Sequence, residues 1–186
     1  MDKSSHELIP AGPVQRILDA AKFASEKHAA QKRKGVAAEP YVNHLIEVAQ
    51  LVASSSGELD VKMVMAAFLH DTIEDTGTTA EELEQAFGSD VTSLVLELTD
   101  DKSLPNQVRK ELQVKETPHK SARAQVVKLA DKISNLRSLL TSPPADWSTE
   151  RKREYFDWGR RVVNAMPAPN PVLKAEFDRT YALFKG

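Results

Sequence analysis

Along most of the chain, apolar residues recur at intervals of three and four, the spacing of one helix face. From Val14 the series runs through Ile17, Leu18, Ala21 and Ala24 to His28. Pro40 can open a second helix, on which Tyr41, His44, Leu45, Val48 and Val52 share a face. Asp60 can cap a third, whose Val61, Val64, Met65, Phe68 and Leu69 make it apolar enough to be central. Thr79 and Glu82 read as a capping box, and Gly88 as the stop of that fourth helix. Val91, Leu94, Val95 and Leu98 mark a fifth, and the charged stretch from Lys102 to Pro118 reads as a loop plus a solvated helix. A long helix is expected from about Ser121, with Val126, Leu129, Ile133, Leu136 and Leu140 inward, ended by Pro143-Pro144. Ser148 caps another with Tyr155, Trp158 and Val162 on one side, and Leu173, Phe177, Tyr181 and Phe184 form the last. No strand pair carries hairpin chemistry, so the pattern predicts an all-α bundle of about eight to ten helices.

Composition narrows the function classes. A length of 186 residues suits one domain, with residues 1–12 expected as a flexible N-terminal tail. The formal net charge of −2 argues against a general nucleic-acid binder but leaves room for a local basic cluster. There is no cysteine, so disulfides and thiolate ligands are excluded and any metal must sit on His, Asp and Glu. That fits a reducing, cytoplasmic setting. The polar N-terminus lacks the apolar segment of a signal peptide, and no apolar run approaches membrane-spanning length. Homo-oligomer formation is left open.

The chemistry concentrates in His70-Asp71-Thr72-Ile73-Glu74-Asp75, directly after the most apolar helix. If this stretch is helical, His70 and Glu74 are four apart, as are Asp71 and Asp75, so both pairs project to one side. Three carboxyl groups so close repel one another unless a cation or proton compensates. His44 on the second helix and Asp131 on the long helix fit the same site. Lys128, Asp131, Asn135 and Ser138 form a polar stripe there. Two imidazoles and two carboxylates suit Mn²⁺, Fe²⁺ or Zn²⁺ and leave room for water or substrate. Glu74 and Asp75 would then serve as general base or acid. Each residue alone has a plainer reading: a satisfied core histidine, a surface helix end, or a salt-bridge partner for Lys128 or Lys132. Their joint occurrence on separate apolar helices favours the metal site. Lys32, Arg33 and Lys34 form a basic cluster before Pro40. It reads as a solvated surface run or as a phosphate site in which Arg33 stacks on a base. Arg151 and Tyr155, four apart, form a surface pair or a phosphate clamp.

These residues, in this order, resemble the hydrolase domain of the RelA/SpoT homologues, and in particular the stand-alone small alarmone hydrolases that include the metazoan SpoT homologue. The likeness rests on Arg33-Lys34, on Pro40 to His44, on Phe68 to Thr76, on Leu98 to Pro105, on Val127 to Arg137 and on Trp147-Ser148 through Trp158, nearly the whole chain. It implies an all-helical HD fold with one Mn²⁺ on His44, His70, Asp71 and Asp131. It implies Glu74 and Asp75 acting on the attacking water, Arg33 stacking on guanine and Lys34 on phosphate. Asn135 would lie near the ribose or pyrophosphate, and Arg151 and Tyr155 would hold the 5′-phosphates. The implied reaction removes the 3′-pyrophosphate of guanosine 3′,5′-bis(diphosphate), or its 5′-triphosphate form, giving GDP or GTP and pyrophosphate. The substrate would be a small nucleotide, with no nucleic-acid or membrane partner. The chain departs from the family at Leu45, where Pro commonly follows the first metal histidine, and in the unusually apolar loop Gly35 to Glu39. Other substrates for the same site are adenosine alarmones and the 2′-phosphate of NADPH. A third reading is a non-catalytic nucleotide-binding protein, which would predict a lost ligand or a lost acidic pair, and neither is lost.

Overall fold

The computed structural model describes residues 12–185. The expected tail lies outside the described residues, apart from Gly12, whose carbonyl accepts from the Arg16 amide at the first turn of α1. Ten α-helices follow among the described residues: α1 Pro13–Lys27, α2 Val42–Ala53, α3 Val61–Leu69, α4 Thr72–Thr76, α5 Ala80–Phe87, α6 Ser89–Leu98, α7 Asn106–Glu116, α8 Ala122–Thr141, α9 Thr149–Asn164 and α10 Pro171–Ala182. A 3-10 turn at Thr117–His119 joins α7 to α8.

The helix starts follow from their caps. Side chains of Asp60, Thr79, Ser121, Ser148 and Asn170 each accept backbone N–H bonds from the first turn they precede. The expected capping box at Thr79 is half formed. Thr79 accepts from the Glu82 amide, but the Glu82 carboxylate turns outward to Lys27 at 2.7 Å. Gly77 and Gly88, at φ 72° and 83°, take the left-handed backbone that ends α4 and separates α5 from α6. The second helix starts at Val42 rather than Pro40, because Pro40 pairs with Lys32 in an isolated antiparallel bridge.

Packing is organised by two helices. α3 is buried from Met63 to Leu69 and contacts α1, α2 and α6, as its composition predicts. α8, twenty residues long, runs across α2, α3, α6, α9 and α10. Fully buried Leu45, Leu69, Leu129, Ile133 and Leu136 join these elements in one core. Of the face expected for α1, Ala24 and His28 are buried and Ile17 and Ala21 pack on the core, joined by Ala20, while Val14 and Leu18 face solvent. Alanine is the smallest side chain that still favours helix, so this face docks α1 on α3 with little to accommodate. As the sequence pattern implied, α7 buries no residue completely.

The loop between α1 and α2 is pinned against the end of α8. Arg33 N bonds Glu39 O, Val36 N bonds Pro143 O, and Ala37 N bonds Ser142 Oγ. Gly35 makes this approach feasible, since a Cβ there would lie 1.9 Å from the Ser142 carbonyl oxygen. Gly35→Ala is therefore expected to destabilise the fold by about 1–3 kcal/mol, read as a lower urea midpoint at unchanged slope. Gly57→Ala, with nothing within 4 Å of the added carbon, is the matched control expected to stay near wild type. Equal midpoints for the two variants would show that the Gly35 contact is not a constraint.

Candidate active site

His44 lies in the first turn of α2, His70 directly follows α3, and Asp131 lies in the middle of α8. The helix expected over residues 70–75 forms from its Asp71 cap onward as α4, and the chain is interrupted only at its junction with α3. α3 stops at Leu69, and Asp71, at φ −98° and ψ −1°, precedes the restart at Thr72. Neighbours on a continuous helix point about 100° apart. Here the break brings His70 Nε2 and Asp71 Oδ2 to 3.1 Å. His44 Nε2 lies 3.7 Å from Asp71 Oδ2 and 3.4 Å from Asp131 Oδ1, and His70 Nε2 lies 3.9 Å from Asp131 Oδ1. Four side chains from three segments thus converge on one point. The ligand atoms of His44, His70 and Asp131 lie within 4.8 Å of one another, a set able to hold a metal ion.

Two details make this set fit a cation. His70 Nδ1 is 2.9 Å from the Ala67 carbonyl, which can only accept, so Nδ1 keeps its proton and, in the neutral ring, Nε2 presents the lone pair. Nε2 of both His44 and His70 is buried with no hydrogen-bond partner. Electrostatics points the same way. Burial alone would lower the His70 pKa, yet Asp71 and Asp131 raise it to about 10. Burial also works to raise both carboxyls. The His70 and His44 imidazoles nevertheless hold Asp71 well below the ordinary carboxylate range, and Lys132 with the same imidazoles does so for Asp131. The site calls for positive charge, and a proton or a divalent ion can supply it. Leu45 is fully buried in the core while the adjacent imidazole keeps its lone pair on the site, so the departure from the family pattern costs no ligand.

A cavity of about 610 Å³ opens beside these groups. Its lining includes the acids Asp71, Glu74, Asp75 and Asp131 and the cations Arg33, Lys34, Lys110 and Arg151. Glu74 Oε2 accepts the Asp100 amide at 3.1 Å, and Glu74 Oε1 faces Arg109 at 3.5 Å. Burial, then the charge of Asp71, pushes the Glu74 carboxyl up to about 7. Asp75 is held by Gln31 at 2.7 Å and by an ion pair with Lys102. Arg33 donates to Asn135 at 3.1 Å, and Asn135 donates to Asp131 at 2.5 Å, so the basic loop is tied to the ligand helix. Arg151 stacks over Trp147 at 4.5 Å, and Tyr155 lies between Trp147 and Trp158. Glu74, Asp75, Arg33, Lys34, Asn135, Arg151 and Tyr155 all line the cavity, while His44 sits behind it.

Tyr41, Arg109 and Lys110 at the site were not singled out from the sequence, whereas Lys132 was read as a salt-bridge partner for Asp131. Tyr41 donates to Asp71 Oδ2 at 2.5 Å and stacks on His28, fixing the carboxylate from behind. Lys132 pairs with Asp131 at 3.1 Å and lies 4.3 Å from the Trp158 ring centre. Arg109 and Lys110 come from α7, whose charge pattern reads as solvated surface and carries no signal of a cavity wall.

Comparison with known proteins agrees with this geometry. The HD domain family matches residues 20–157. A Xenopus tropicalis protein, guanosine-3′,5′-bis(diphosphate) 3′-pyrophosphohydrolase MESH1, is 47% identical over 165 residues, 89% of this chain and 92% of its own. The Homo sapiens protein of that name is 47% identical over 86% of this chain and 89% of its own. The Drosophila melanogaster one is 40% identical over 91% and 94%. A solved structure of a metazoan orthologue of SpoT, described as hydrolysing ppGpp with a role in starvation responses, superposes with a TM-score of 0.86. It is 39% identical and covers 94% of this chain and 97% of its own.

The raised Glu74 pKa has a stability consequence. A carboxyl whose folded pKa exceeds its ordinary 4.5 stabilises the fold below 4.5 and loses that contribution as pH rises through about 7. In EDTA-treated protein, Glu74→Gln should thus match wild type near pH 4.5 and gain a few degrees in melting temperature by pH 8. A pH-independent difference would mean that Glu74 is not held in its neutral form.

Proposed function

Given that the chain belongs to the HD domain family, we propose that it is a metal-dependent hydrolase that removes the 3′-pyrophosphate of guanosine 3′,5′-bis(diphosphate) to give GDP and pyrophosphate. The pppGpp form would give GTP. The observation that carries the reading is the convergence of two orphaned imidazole nitrogens with two half-buried carboxylates beside a cation-lined cavity. The likeness of nearly the whole chain to proteins named for this reaction supplies the substrate. We assign His44, His70, Asp71 and Asp131 as ligands of one ion. Their mixed nitrogen and oxygen donors suit Mn²⁺, with Fe²⁺ or Zn²⁺ as substitutes. When bound, the ion supplies Lewis acidity toward a phosphoryl oxygen and the attacking water.

The remaining steps fall to the chain's own side chains. Glu74 is poised near neutrality, so it can take a proton from the attacking water at physiological pH. The water oxygen forms the new bond to the phosphorus attached at O3′. The bond from that phosphorus to O3′ breaks, and the 3′ oxygen leaves with a proton for which Asp75 is the nearby carrier. Lys102 and Arg109 hold the two carboxylates in place. Arg33 would stack on the guanine, Lys34 would contact phosphate, and Asn135 would orient the ribose end of the nucleotide. Arg151, with Tyr155, would hold the 5′-phosphates. Guanidinium and ammonium groups on this wall neutralise the substrate's charge without contributing to the chemical step itself. Residues 1–186 act as a single hydrolase domain on a small cytoplasmic nucleotide, a setting consistent with a chain that contains no cysteine. Among the described residues no helix is long and apolar enough to cross a membrane.

The test is Mn²⁺-dependent release of pyrophosphate from guanosine 3′,5′-bis(diphosphate), run beside adenosine alarmones and NADPH. EDTA and Asp71→Ala should each abolish release. Preferred turnover of NADPH would keep the site and replace the substrate. Glu74→Ala should retain stoichiometric Mn²⁺ while kcat falls at least ~100-fold, as for loss of a positioned general base. Wild-type turnover in that variant would remove Glu74 from the mechanism.

A further inference from the structure

The Nδ1 side of His44 leads away from the cavity into a chain of polar side chains that the proposed reaction does not use. His44 Nδ1 is 2.8 Å from Ser134 Oγ on α8. Ser134 is buried, and its hydroxyl donates to Glu47 Oε2 at 2.6 Å. Glu47 Oε1 in turn accepts from Arg137 Nη1 at 2.8 Å. The other arm of Arg137 pairs with Glu176 on α10, a helix outside the residues matched to the family. The ladder follows from spacing: His44 and Glu47 are three apart on α2, and Ser134 and Arg137 are three apart on α8, so the facing helices present matched pairs.

The direction of each bond can be deduced. A serine hydroxyl has one proton, and the carboxylate of Glu47 can only accept, so that proton goes to Glu47. Ser134 Oγ must then accept from His44, which places the imidazole proton on Nδ1 and leaves Nε2 with a lone pair. That is the nitrogen 3.4 Å from Asp131 Oδ1 and buried without a partner. The opposite tautomer would leave Ser134 Oγ facing an acceptor and would let Nε2–H bond the carboxylates in place of a metal. Metal-binding histidines commonly have their second nitrogen fixed in this way, by a carboxylate, carbonyl or water. Here the carboxylate acts through an intervening hydroxyl, and Arg137 fixes the carboxylate.

We propose that Glu47 and Ser134 are positioning residues that set the tautomer and orientation of His44 for metal binding, with Arg137 holding Glu47 in register. The proposal rests on His44 being a ligand, as assigned above. It gives a role to residues in the second turn of α2 and on the far face of α8 that never touch the cavity.

The test is Mn²⁺ titration of the metal-free full-length chain, followed by the electron paramagnetic resonance signal of the free ion. Ser134→Ala is expected to weaken binding by about 10–100-fold, and Glu47→Ala by a smaller factor in the same direction. The Ser134→Ala/Glu47→Ala double variant should bind no more weakly than Ser134→Ala alone, because Glu47 acts through Ser134. Nitrogen-15 spectra of the metal-free protein should show His44 protonated at Nδ1 in wild type and shifted toward Nε2 protonation in Ser134→Ala. Wild-type affinity in Ser134→Ala, or multiplying losses in the double variant, would overturn the relay. Should Ser134→Ala fail to fold by circular dichroism, the half-exposed Glu47→Gln decides alone, by weakened or unchanged binding together with the His44 tautomer. His44→Ala is the separate control. If it retains stoichiometric Mn²⁺, the ligand assignment fails, whereas loss of metal there with unchanged Ser134→Ala affinity refutes only the relay.

Discussion

Buried negative charge is the constraint from which the rest of the site follows. Asp71 and Asp131 arrive from different helices within reach of the same two imidazoles, in a place where burial penalises each carboxylate. An uncompensated pair of this kind is costly in a protein interior. The fold retains it because His44, His70, Lys132 and the Tyr41 hydroxyl all face it. That arrangement is poorly suited to stability alone and well suited to holding a small cation. The high His70 pKa expresses the same demand in proton terms.

The break between α3 and α4 turns this demand into a site. A continuous helix through His70 and Asp71 would send adjacent side chains in different directions. The interruption lets both contribute to one point, and it starts α4 afresh so that Glu74 and Asp75 face the cavity. The two carboxylates are then treated differently. Glu74 sits against the Asp100 amide and Arg109 with its pKa near neutrality, whereas Asp75 is tied to Gln31 and Lys102. Two acidic groups one residue apart thereby acquire distinct environments, the usual basis for separate acid and base roles.

The cavity wall combines acids from α4 and α8 with cations from the α1–α2 loop, α7, α8 and α9, several of them ion-paired with each other. The loop bearing Arg33 and Lys34 owes its position to Gly35, which lets it lie against the end of α8, and to the Arg33–Asn135–Asp131 chain of hydrogen bonds. The basic loop and α8 are therefore one connected assembly. His44 is similarly joined through Ser134, Glu47 and Arg137 to Glu176 on α10, so the last helix braces a site residue it does not touch.

The chain by itself determined the all-helical class, the caps that start most helices, and the central place of α3, because these depend on local hydrogen bonding and on the periodicity of apolar residues. It also marked His44, His70, Asp71, Asp131 and the Glu74-Asp75 pair, since charged and imidazole groups stand out on apolar helices. On α1 it placed Ile17, Ala21, Ala24 and His28 inward correctly but also Val14 and Leu18, which face solvent, because periodicity alone does not say how wide the packed stripe is. It read α7 as solvated surface although Arg109 and Lys110 form part of the cavity wall. The helix break at His70-Asp71, the Tyr41–Asp71 bond and the Ser134–Glu47 link were decided only in the tertiary structure. Each depends on side chains 30 to 90 residues apart, or on a backbone bend stabilised by neighbouring helices, and no local pattern encodes such pairings.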